Sequence, residues 1–235
     1  MPTHRMLAVL ALALVSLGWA TAASGEEAAS VGRVQVVVDF ESMVVGEAPS
    51  GFTCARTGRG APGNWAIQDD ATAPVGTRVL AQTSTDATSY RFPLCIYEGF
   101  SSADVDLSVA FKPVSGQVDQ AAGLVWRYRD PDNYYVVRAN ALEDNVVLYK
   151  MENGKRSDLK LVGSWFFAYG RDAEVPAGRW STLRVVAKGK RFSVWLGDEH
   201  LFDLEDETFS AAGKVGLWTK ADSVTLFDNL RVEGR

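Results

Sequence analysis

The stretch from Ala122 to Arg156 constrains the fold more than any other part of the chain. Strand-like runs such as Leu124–Arg129, Tyr134–Ala141 and Val146–Met151 are split by two turn clusters, Asp130-Pro131-Asp132-Asn133 and Glu143-Asp144-Asn145. A third turn, Asn153-Gly154, closes the series. Asn-Gly between alternating runs marks a hairpin, because a type I′ turn needs positive φ at both central residues. An antiparallel meander follows. Elsewhere Val105, Leu107, Val109 and Phe111 alternate with Asp104, Asp106, Ser108 and Ala110, a period of two with one polar face. Further strands are expected at 34–40, 65–68, 78–83, 90–97, 180–187, 191–196, 214–219 and 224–232. Residues 46–64, rich in glycine and proline, read as an irregular crossing, and 159–169 as an apolar, aromatic run bent at Gly163. No window of about 12 residues keeps a helical period beyond the N-terminal segment. The fold class is therefore all-β, a two-sheet antiparallel jelly-roll sandwich.

Residues 1–22 have the order of an export signal. His4 and Arg5 precede an apolar run, Met6–Leu17, and Ala20-Thr21-Ala22 supplies the small-x-small cleavage pattern. A span of about 20 apolar residues is needed to cross a bilayer, so this run reads as a cleaved leader and no membrane span is expected. Cleavage near Ala22 leaves a flexible lead-in over 23–33 and one sandwich domain over 34–233, secreted or periplasmic. Removing the leader takes one arginine from 24 basic residues and none of the 29 acids. A phosphate-tracking surface wants the opposite balance, which argues against nucleic acid. Two cysteines, Cys54 and Cys95, in an exported chain favour a disulfide.

Cations and aromatics on the central strands are the clue to function. Counting by twos within each strand puts Arg127, Arg138, Asn140, Trp218 and Lys220 on one sheet face. Leu124, Trp126, Tyr128, Val137, Leu217 and Thr219 then face the interior. Charged groups in mid-sheet are unusual unless they line a wet concave surface. Sugars stack on aromatic rings while planar polar groups take their hydroxyls, so this face is the expected ligand site, with Trp165 as its rim. The single histidine of the mature chain, His200, and two cysteines leave too few ligands for zinc.

The runs Gly123–Tyr128, Asn133–Arg138, Gly178–Val185, Gly213–Trp218 and Asp228–Val232 resemble the concanavalin A-like lectin/glucanase superfamily, which includes laminin G-like modules. Within it they look most like the 3-keto-disaccharide hydrolase domain group. That resemblance implies a carbohydrate partner and a jelly roll whose first and last strands can be clipped by Ca²⁺, here through Asp39, Glu41 and Asp228. It also implies, as an alternative, a glycoside-cleaving activity. Laminarinase-type relatives carry E-x-D-x-x-E, and here Ala103 and Ser108 stand where the glutamates would be, leaving Asp104, Asp106 and the turn residue Glu143 as candidate carboxylates. The reading is a non-catalytic, glycan-binding sandwich. The alternatives are a glycoside hydrolase and an adhesion module that recognises protein.

Overall fold

The structure is a computed structural model, and it describes Met1 and residues 34–159, 161–162 and 169–234. Sixteen strands form among these residues. In chain order they begin β1 (Val34–Val38), β2 (Phe52–Gly58), β3 (Trp65–Asp69), β4 (Arg78–Gln82), β5 (Arg91–Ser102) and β6 (Val105–Ser115). The meander supplies β7 (Ala121–Asp130), β8 (Asn133–Asn140), β9 (Asn145–Glu152) and β10 (Lys155–Asp158). The remainder are β11 (Arg171–Asp172), β12 (Ser181–Lys188), β13 (Arg191–Leu196), β14 (Glu199–Glu205), β15 (Gly213–Trp218) and β16 (Val224–Gly234). They pair into two eight-stranded antiparallel sheets. The first runs β14-β13-β12-β6-β16-β4-β3, with β1 also on β16; the second runs β10-β9-β8-β7-β15-β5-β2, with β11 on β9.

The burial pattern explains why the two sheets read differently in sequence. On β6, Val105, Leu107, Val109 and Phe111 enter the core between the sheets while Asp106, Ser108 and Lys112 stay half-exposed. Such alternation belongs to a sheet with one wet face. Strands β7, β8 and β9 are buried almost residue by residue, because both faces of the second sheet are covered. Their inward side chains, among them Leu124, Trp126, Tyr135 and Val137, join the inter-sheet core. Their outward ones form a second apolar layer with Phe92, Leu94 and Trp218. The Asn153-Gly154 turn has φ of 51° and 71°, as its hairpin requires.

Two strand expectations differ from the structure. The crossing at 46–64 contains a strand, β2, which pairs with β5 over seven residues. Glycines around an edge strand masked it. The carboxyl side of the β13 turn continues as β14, whose residues pair back onto β13 across a bulge. The run at 159–169, with Trp165, lies largely outside the described residues. The expected disulfide is not formed either. Cys54 and Cys95 are direct cross-strand partners on β2 and β5, yet they are free thiols with sulfurs 3.3 Å apart. Burial pushes the Cys95 thiol up, while its hydrogen bond to Cys54 pulls that thiol down. No helix among the described residues is long and apolar enough to cross a membrane.

Candidate functional site

Counting by twos fails at one residue, and that residue moves a candidate. Arg127 has φ of 48°, and the β7–β8 register slips between Trp126 and Asp130. The bulge turns Arg127 inward and Tyr128 outward, opposite to the expectation; Tyr128 packs on the outer apolar layer. The Arg127 guanidinium donates to the carbonyls of Ala103, Phe209 and Gly189 at 2.7, 2.7 and 2.5 Å and lies over the Phe192 ring. It closes the end of the sandwich, with Asp104 3.6 Å away. Trp218 is on the expected outer face but fully buried, stacked on Phe92 with ring centroids 5.5 Å apart and set edge-on to Tyr149. It is part of a core, not a platform that a sugar can reach.

Arg138, Asn140 and Lys220 do come together. Asn140 ends β8, Asn145 begins β9, and Lys220 follows β15, so the register brings their loops to one end of the second sheet. They gather around a residue that strand counting missed, Asp119, in the loop before β7. Asn140 Nδ2 donates to Asp119 Oδ1 at 2.8 Å, and Lys220 Nζ stands 3.1 and 3.0 Å from its two oxygens. Beside them Arg138 donates to Glu143 Oε2 at 2.7 Å, to Asn145 Oδ1 at 2.5 Å and to the Tyr169 hydroxyl at 2.9 Å. Asp119, Arg138 and Asn140 are buried; Lys220 and Glu143 are partly open, and Tyr169 is 48% exposed. The result is a buried ionic floor with an aromatic ring and two charged groups at its mouth.

Electrostatics split the two carboxylates. Burial pushes Asp119 above its ordinary value, against the Lys220 charge, and the nearby Glu143 charge adds to the rise. Burial also raises Glu143, but the Arg138 charge and the hydrogen bonds of Arg138 and Asn145 outweigh it and leave it below the usual glutamate value. Tyr149, next to this cluster, is buried, and among the described residues its hydroxyl has no partner. No linear signal marks Asp119. It becomes legible only once β7 and β15 are known to be neighbours.

The remaining candidates lie elsewhere. Asp106 on β6 and Asp104 in the turn before it line a shallow surface cleft with Lys188 and Glu233. Asp106 is held by Arg184 through two contacts of 2.7 and 2.5 Å, and Asp104 accepts from the Gly189 amide. Neither pairs with Glu143, which lies in the turn between β8 and β9. The charges of Glu41 and Asp39 add to the burial that raises Asp228, so the three lie in one region of the first sheet's margin. Their oxygens, however, accept backbone amides: Thr77 and Arg78 on Glu41, Val75 and Asn229 on Asp228, and Glu41 itself on Asp39. Among the described residues no group of three or more His, Cys, Asp or Glu is placed to hold a metal ion.

Comparison with known proteins now bears on this geometry. Residues 39–233 match the 3-keto-alpha-glucoside-1,2-lyase-like domain. No curated protein matches. Among solved structures, the carbohydrate-binding module CBM66 from Bacillus subtilis is 22% identical with a TM-score of 0.55, covering 77% of this chain and 94% of that one. The cellulose-induced protein Cip1 is 11% identical with a TM-score of 0.60, over 84% of this chain and 96% of its own. Domain 4 of AbnA, an extracellular GH43 arabinanase from Geobacillus stearothermophilus solved with arabinotriose, is 14% identical with a TM-score of 0.51, over 84% and 90%. At these identities the likeness is one of fold.

Proposed function

The chain belongs to the 3-keto-alpha-glucoside-1,2-lyase-like domain family, within the concanavalin A-like superfamily, and on that premise we propose that it recognises a carbohydrate without cleaving it. The binding site is the polar end of the second sheet: Asp119, Arg138, Asn140, Glu143, Lys220 and Tyr169. One observation carries the reading. A half-open tyrosine ring stands beside charged donors and acceptors whose buried partners already fix their directions. A sugar ring laid on Tyr169 meets Lys220 as donor and Glu143 as acceptor with little ordering left to do. The carbohydrate-binding module and the arabinotriose-bound domain among the structural neighbours support the same class of ligand. The test is a glycan array with the mature protein, followed by Tyr169→Ala and Lys220→Ala on whichever glycan is retained. A loss of about tenfold or more in each supports the site; undiminished binding removes it.

A second reading is favoured by a specific feature. Two carboxylates whose environments push them apart are the usual arrangement for an acid and a base, and the family description names a lyase acting on 3-keto-alpha-glucosides. Incubation with an α-glucoside and its 3-keto form separates the two readings, because released sugar that disappears in Asp119→Asn establishes cleavage. Export after cleavage near Ala22 is also a proposal, tested by N-terminal sequencing of the protein recovered outside the cytoplasm. So is a structural calcium ion near Asp39, Glu41 and Asp228, whose only support is that the charges of the first two are felt at Asp228. A chelator that lowers the melting temperature upholds it, and an unchanged melt dismisses it.

A further inference from the structure

We propose that Asp222 is the positioning residue of this site, its carboxylate folding the backbone of residues 117–119 into the shape that aims Asp119 at Lys220 and Asn140. The inference rests on the reading of the cluster as a carbohydrate site and deepens it. Asp222 Oδ2 accepts the amides of Gln117 and Val118 at 2.6 and 3.1 Å, and Oδ1 accepts those of Val118 and Asp119 at 3.1 and 3.0 Å. Three successive amides converging on one anion make a nest, a device that usually holds a ligand's charge and here holds the chain's own. Burial raises Asp222, and the three amides outweigh it and leave it below its ordinary value, so the nest holds a charged carboxylate.

The supports are built into both loops. Gly116 has φ of 153°, and a Cβ there would meet the Asp119 carbonyl oxygen at 1.9 Å, so only glycine lets the loop close on itself. Ser223 accepts the Ala121 amide at 2.9 Å and donates to the Lys220 carbonyl at 2.5 Å, tying the first residue of β7 to the loop after β15. The loop that carries Lys220, which faces the Asp119 carboxylate, thus also carries Asp222, which fixes the Asp119 backbone. One loop holds both the side chain of Asp119, through Lys220, and its main chain, through Asp222, while Asn140 takes the carboxylate from β8. A site whose groups must sit within about 0.5 Å of their working positions needs support of this kind behind it.

The experiment uses Asp222→Ala, with Asp222→Asn as the milder variant should the first fail to fold. Without sugar, amide exchange at 117–119 is expected to rise by about a hundredfold while β7 stays protected. The Asp119 carboxyl, followed by carbon NMR, should titrate lower, toward the ordinary aspartate value. Loop glue with no bearing on Asp119 would leave that titration in place and overturn the proposal. The sugar arm takes whichever of cellotriose, maltotriose and arabinotriose the wild-type protein binds. Asp222→Ala should weaken it about tenfold, and add less than about twofold once Asp119→Ala is present, because coupled residues are non-additive. Fully additive losses overturn the proposal. Binding of none of the three sugars counts against the carbohydrate reading alone, and exchange and titration then decide the role of Asp222.

Discussion

Replacing Arg127 with methionine tests the distinction between a ligand-binding and a structural arginine. The side chain is 1% exposed and its three acceptors are carbonyls. The Phe209 carbonyl is buried where it meets the guanidinium, and stranding it costs about 1–3 kcal/mol. The Ala103 and Gly189 carbonyls lie closer to solvent, where water can replace the lost donor, so each costs about 1 kcal/mol. Methionine restores most of the volume over Phe192, which keeps the cavity cost small. Burial itself depresses Arg127, a sign that the charge is held at a cost, and its removal returns part of the loss. The net is about 2–4 kcal/mol, which in a domain of this size lowers the melting temperature by roughly 10 °C. Denaturant melts of Arg127→Met against wild type read the stability, and glycan titration of the folded variant reads the function. A loss under about 1 kcal/mol refutes the structural assignment. Lost sugar binding in a variant of unchanged stability would restore Arg127 to the ligand site.

Oxidation should join Cys54 to Cys95 with little movement. Closing a loop of about 42 residues then stabilises by about 4 kcal/mol in the chain-entropy model, a gain that Cys54→Ser abolishes; two alkylatable thiols after treatment with a disulfide oxidant would refute it. The pH dependence carries a sign. Asp119 is raised in the folded state, so the folded protein holds its proton more tightly, and stability falls as pH climbs from 3.8 through the raised value. Asp119→Asn should remove that slope, and an unaltered melting profile over this range counts against the buried, charged floor. Asp222 is lowered, so its contribution is present above 3.8 and disappears as pH falls through the folded value. Asp222→Asn should flatten that acid limb, and a limb as steep as the wild type's would show that the amides do not hold the charge.

The meander was legible because its signals are local: turn residues at Asn153-Gly154 and alternation on β6 rest on φ and on one wet face. The site was half legible. Period-two counting placed Arg138, Asn140 and Trp218 on the outer face of the second sheet, and Trp126, Leu124 and Leu217 inside it. It failed at Arg127 because one left-handed residue reverses the alternation, and nothing in Trp-Arg-Tyr-Arg announces a bulge. It misjudged Trp218 because direction is set by the strand while exposure is set by what covers the strand. Asp119 and Asp222 were missed since they lie in loops about a hundred residues apart, joined only by the pairing of β7 with β15.

The apolar layer on the outer face of the second sheet also sets the order in which this molecule lets go of itself. A sheet wet on one side can open by fraying its margins, whereas strands covered above and below exchange their amides only when the whole layer parts. Edge strand β2, mostly open, and the solvated flank of β13 and β14 are then the early-opening parts. Strands β7, β8 and β9, which carry the loops of the polar cluster, are the last. The groups that meet a ligand are thus mounted on the longest-lived part of the chain, and partial opening elsewhere leaves their spacing undisturbed.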